Sequence, residues 1–134
     1  MTDDEWIASF ENCSLANEQF HHADHVKMAF LYLSRSPALE AIQRFTAALI
    51  GFASGHGKPQ LYHEPVTWAF LLLIRERMAR AERRQTWIEF AAANADLLES
   101  KDGVLKKYYR TETLASDLAR RTFLLPDKAL AETG

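Results

Sequence analysis

Residues 20–37 read FHHADHVKMAFLYLSRSP, and this stretch decides the fold. From His22 to Ser34 the apolar residues Val26, Ala29, Phe30 and Leu33 recur at the spacing of one helix face. Ser36-Pro37 then stops that helix and starts another, with serine as N-cap and proline at the first helical position. The helical period extends outward in both directions. Thr2 with Glu5 forms a capping box that opens a first helix to about Asn12, with Trp6, Ile7 and Phe10 on one face. A polar linker, Ser14 to Gln19, joins it to the second. The third helix carries Leu39, Ile42, Phe45, Ala48, Leu49 and Phe52 inward until the glycines at 51, 55 and 57 weaken it, and Ser54 to Leu61 reads as a loop.

Glu64-Pro65 opens a fourth helix. Between Val66 and Ile74 only Thr67 is polar, a pattern expected of a central helix buried on all sides. A charged stretch, Arg75 to Arg84, follows, and Thr86 restarts a fifth helix through Trp87, Ile88, Phe90 and Ala91. Short helices are expected around Ala95–Glu99, Gly103–Tyr108 and Glu112–Phe123. Leu125-Pro126-Asp127 ends the packed region, leaving about 128–134 as a loose tail. No segment alternates long enough for a strand. The sequence therefore predicts an all-α fold, a single-domain antiparallel bundle of about six helices across residues 1–134.

The composition narrows the function classes. Of 134 residues, 48% are hydrophobic and 25% charged, as in ordinary globular domains and unlike disordered or fibrous chains. Sixteen Lys and Arg against eighteen Asp and Glu give a net charge of −2, without the basic footprint of a nucleic-acid binder. The apolar run ending at Ile74 is stopped by Arg75, far short of the ~20 residues of a membrane span. One cysteine, Cys13, permits neither an internal disulfide nor a thiolate metal cluster. With the acidic start Thr2-Asp3-Asp4-Glu5, this points to a cytoplasmic protein without a secretory leader.

The histidines carry the functional signal. All five, His21, His22, His25, His56 and His63, lie in the first half of the chain. If helices two, three and four run up, down and up, the start of the second, the end of the third and the start of the fourth share one end of the bundle. All five histidines then converge. Residues three and four apart share a helix face, so His25 pairs with His22 or with His21. Two imidazoles on one turn and a third from His63 would fix three positions on a transition metal, with others left open. Glu64 is then a fourth ligand or a general base acting on bound water, and Tyr62 and His56 are candidates for substrate contact. Such ligands suit Zn, Fe, Ni or Cu equally. The expected function is a small-molecule metalloprotein, an enzyme being one form of it. The alternatives are a metal-free pocket for a small ligand and a protein-interaction module in which the histidines are structural caps. A homodimer that buries a leftover apolar stripe is compatible with each.

The segments Phe20-His21-His22-Ala23-Asp24-His25-Val26, Tyr62-His63-Glu64 and Leu125-Pro126-Asp127 resemble a family of small all-α bacterial proteins with F-H-H-x-D-H-V and Y-H-E motifs. The resemblance covers most of the chain and implies that the histidines belong to one site; the family is uncharacterised and implies no reaction. A threonine follows Y-H-E in that family, where this chain has Pro65. Other features have ordinary readings. Tyr32, Tyr108 and Tyr109 suit packing with the hydroxyl satisfied at an edge. Arg75, Arg77, Arg80, Arg83 and Arg84 read as a solvated helix end, favourable to the dipole.

Overall fold

The computed structural model describes residues 2–59, 62–99 and 101–128. Among them are nine helices and no strand: α1 (Asp3–Glu11), α2 (His22–Arg35), α3 (Ala38–Gly55), α4 (Glu64–Arg80), α5 (Trp87–Ala93), α6 (Ala95–Glu99), α7 (Lys101–Leu105), α8 (Thr111–Leu114) and α9 (Asp117–Arg121). A short 3₁₀ turn, Asn17–Gln19, lies in the linker before α2. The all-α architecture is as the periodicity predicts. The count exceeds six because the C-terminal third is divided into turns too short to stand alone, and Glu112–Phe123 breaks into α8 and α9 at Ser116, which caps the second piece. The expected tail at 128–134 lies, beyond Lys128, outside the described residues. No helix among the described residues is long and apolar enough to cross a membrane.

The capping box forms as read: Glu5 N–H donates to Thr2 Oγ1 at 3.1 Å and Thr2 N–H to Glu5 Oε1 at 3.0 Å. A second box, Thr86 with Glu89, starts α5. Both satisfy amide donors that a helix start otherwise leaves unpaired.

The central helix is α2 rather than α4. Val26, Met28, Ala29, Phe30, Leu31, Tyr32 and Leu33 are all buried, because α2 packs against α3, α4, α5 and α6. On α4, Phe70, Leu71, Leu73 and Ile74 are buried but Leu72 is 46% exposed, so the apolar run does not mean burial on every side. Helix α4 also continues through the first arginines. Arg77 turns back to the fold and grips Asp96 of α6 with two hydrogen bonds of 2.8 Å, while Arg80 pairs with Glu76 at 3.1 Å. Arg83 pairs with Glu89 and Arg84 donates to the Ser34 carbonyl, so most of this basic cluster serves local structure.

Phe10 of α1 is the hub of one half of the core. Fully buried, it meets the rings of Phe20, Phe45, Phe52 and Tyr32 at centroid distances of 5.1, 5.7, 5.4 and 6.3 Å. Tyr32 sends its hydroxyl out to Glu11 at 2.6 Å, the edge-satisfied packing role expected of it. After α1 the chain turns through Cys13, whose φ of 65° is left-handed. The turn lies close against α3: a Cβ at Gly55 would stand 2.9 Å from Cys13 Sγ. That approach matters below, because it brings the Leu15 carbonyl to the end of α3.

Candidate functional site

Two residues join α2 to α3, forcing the reversal inferred from Ser36-Pro37, and the segment after Gly55 returns the chain to α4. Between these three helices lies a cavity of about 520 Å³, within the size range of small-molecule sites. Four of the five histidines line it: His22 and His25 from α2, His56 just past α3, and His63 just before α4. His21 does not. It is exposed, and its backbone N–H bonds Asp24 Oδ2 at 3.0 Å across the first turn of α2. His22 is thus the residue that shares the cavity wall with His25.

Three of these rings are held in the same way. Nε2 of His22 lies 2.8 Å from the Leu97 carbonyl, that of His56 3.0 Å from Leu15 O, and that of His63 2.6 Å from Leu114 O. A carbonyl oxygen only accepts, so in each ring Nε2 carries the hydrogen. Each bond also ties a helix end at the cavity to a different distant segment: α6, the turn after α1, and α8. Nδ1 of His63 is buried and has no hydrogen-bond partner. Such an atom costs about 1–3 kcal/mol where nothing meets it. His25 instead stacks on Phe20, with ring centroids 4.0 Å apart and planes at 25°.

Glu64, the first residue of α4, is half-buried but does not line the cavity; Tyr62 reaches it, hydroxyl to Oε1, at 3.4 Å. Tyr62 does line the cavity. Burial and then the Glu64 carboxylate push its phenol up to about 12, with the Trp68 indole and Thr46 hydroxyl opposing. Nε1 of Trp68 and Oγ1 of Thr46 are themselves buried without a partner. Among the described residues, no three or more His, Cys, Asp or Glu side chains are grouped so as to hold one metal ion.

The rest of the wall was not singled out from the sequence. Phe45, Leu49 and Phe52 of α3 and Phe70, Leu71 and Ile74 of α4 line the cavity. Their periodicity is that of ordinary core residues, and nothing in it distinguishes a wall from a filled interior. Lys58 and Glu99, both exposed, stand at the cavity as well. Glu99 comes from α6, which no local motif connects to the histidines.

The Leu125-Pro126-Asp127 segment has a structural place beside the site. Asp127 accepts from the Arg110 N–H at 2.9 Å and from the Thr113 hydroxyl, capping the start of α8. Leu114 ends that helix and supplies the carbonyl that holds His63. Comparison of the chain with protein-family models, with curated proteins and with solved structures found no match in any of the three.

Proposed function

We propose that this protein binds a small organic molecule in the cavity between α2, α3 and α4, and that its imidazoles meet the ligand's polar group. The observation that carries this reading is a cavity of about 520 Å³ whose lining is mainly apolar but carries four imidazoles. Apolar walls reward burial of a ligand's hydrocarbon, and the few polar groups among them fix its orientation. A cytoplasmic setting accords with the single cysteine. The test is thermal unfolding against a panel of small organic acids, alcohols, amides and amines. A ligand at a hundred times its Kd stabilises by about 2.7 kcal/mol, and a chelator leaves that gain unchanged. A panel in which no compound raises Tm refutes the reading.

One observation favours a second reading, a mononuclear transition metal held by His22, His25 and His63 with Glu64 nearby. Imidazoles that bind metals commonly donate their other N–H to a backbone carbonyl, as Nε2 of His22 and His63 does here. Zn, Fe, Ni or Cu would suit such nitrogen donors. Elemental analysis of untagged protein, with His25→Ala and His63→Ala in parallel, decides between the two. Near-stoichiometric metal lost in both variants places this reading first, and a metal-free parent that takes up none removes it.

A further inference from the structure

The cavity is walled by rings. Of the twenty described residues that line it, nine carry an aromatic or imidazole ring, whereas such residues number twenty in the whole chain of 134. Three of the imidazoles are also paired with phenylalanines of the same lining: His25 with Phe20 at 4.0 Å between centroids, His56 with Phe52 at 4.4 Å and His22 with Phe70 at 5.1 Å. Phe20 in turn meets Phe52 at 5.1 Å, so ring contacts run from α2 to both α3 and α4. We infer that the ligand is an uncharged, planar compound of two or three fused rings that carries a hydrogen-bond donor, a hydroxyl or an N–H. The inference rests on the ligand-binding reading above and narrows it to one chemical class.

Size and rigidity select fused rings. A cavity of about 150 Å³ takes one benzene, and this one, at about 520 Å³, is more than three times as large. Nε2 of His22 and of His56 is tied to the carbonyls of Leu97 and Leu15, and each of these rings also rests on its phenylalanine, so the wall is fixed before a ligand arrives. A fused ring has no torsions to lose against such a wall, whereas a flexible chain of equal area gives up rotamer freedom. Flat rings also meet ring walls edge to face or offset, each good contact worth about two- to tenfold in affinity beyond the area it buries.

The charges in the lining oppose each other. Lys58 and Glu99, both exposed, are one cation and one carboxylate, so an ionised ligand would give up its hydration in the apolar interior without a net counter-charge. The polar group follows from a tautomer. His56 is half-buried at the cavity wall, and its Nε2 hydrogen is given to Leu15 O. The other nitrogen, Nδ1, then carries a lone pair and no hydrogen. A ligand group that meets it has to donate, which selects a hydroxyl or an N–H over an ether, a ketone or a carboxylate.

The experiment is titration calorimetry of the full chain with naphthol, its saturated analogue decalol, methoxynaphthalene and naphthoate, all substituted at the same carbon. Naphthol is expected to bind one to one, about tenfold tighter than decalol or naphthoate and several-fold tighter than methoxynaphthalene. Ala29→Leu, which fills part of the cavity, should weaken naphthol, and an unchanged affinity places the compound elsewhere and overturns the inference. Phe70→Leu keeps the wall apolar but removes a ring, and should cut the advantage of naphthol over decalol to a few-fold. His56→Phe should bring naphthol down to the affinity of methoxynaphthalene, whose own binding to the variant checks that the cavity persists. The preference of the parent for naphthol over methoxynaphthalene tests the donor without any substitution. Decalol binding as tightly as naphthol overturns the ring selection, naphthoate binding tighter overturns the absence of charge, and methoxynaphthalene binding equally overturns the donor; in each case the ligand cavity stands. If none of the four binds while another compound of the small-molecule panel raises Tm, the inference falls alone. If nothing in either set binds, both fall.

Discussion

Ala29 and Ala41 offer the sharpest test of whether the space between α2, α3 and α4 is a true void. Both are alanines of long helices, the eighth residue of α2 and the fourth of α3, and both are almost fully buried, at 3% and 0% exposure, so helix propensity and solvent exposure largely cancel in a comparison. Ala29 lines the cavity and Ala41 does not. Replacing either by leucine adds three carbons. At Ala29 they enter empty space and gain about 2.4 kcal/mol at ~0.8 per carbon, less roughly 0.5–1 for the fixed rotamer. The net is stabilisation of about 1.5 kcal/mol, which for a chain of this length raises Tm by ~3–8 °C. At Ala41 the same carbons meet packed atoms and cost about 1–3 kcal/mol. Urea unfolding of the two variants and the parent reads both values, and they should differ in sign. If Ala29→Leu destabilises as much as Ala41→Leu does, the cavity is not open in solution and the ligand proposals built on it fail. A more stable protein with weakened ligand binding is the signature of a site kept empty for function.

Three further expectations test other parts of the structure. Phe10→Ala should cost about 3–5 kcal/mol in urea unfolding, because a fully buried ring touching four others leaves a hole that helices cannot close. Hydrogen bonding from Arg77 and its charge lower the Asp96 carboxyl below its usual value, so this contribution is present above about pH 4 and is lost as pH falls through the depressed value. Asp96→Asn should therefore be less stable at neutral pH and lose less on acidification than the parent, as followed by helix signal against pH. The Tyr62 phenol, pushed up to about 12, favours the folded state fully below pH ~10 and loses that contribution as pH rises towards 12. Glu64→Gln should bring its titration down, measured as the ultraviolet difference between proteins with and without Tyr62→Phe, and no change would remove Glu64 as a cause.

The helices at both ends of the Ser36-Pro37 reversal were legible because their signals are local: a stripe, a cap, a proline. From that reversal alone, topology brings His22, His25, His56 and His63 to one end of the bundle, and all four line the cavity. Two features were beyond local reading. Hydrophobicity around α4 suggested the most buried helix, but α5 and α6 pack on α2 while α7 and α9 pack on α4, and the placement of α6 depends on contacts such as Arg77–Asp96 that no pattern announces. The fate of each imidazole was equally hidden, since whether a ring at a helix end faces a carbonyl is set by a distant segment. His21 and His22 are neighbours with the same local signals, yet one is exposed and the other braced to Leu97.

Those braces join residues 75, 41 and 51 positions apart. Contacts so distant in sequence form late, after the loop-closure entropy between them has been met, so this set of ties should be the last part to assemble. It should also be the first to open. Helix α8 has four residues, and its hold on His63 is a single hydrogen bond. Its amides should exchange with solvent through openings much smaller than global unfolding, while those of α2 exchange only when the whole domain unfolds. The freedom of the His63 ring to turn at the cavity wall would then follow the breathing of this one short turn, on a timescale set by it and not by the stability of the bundle.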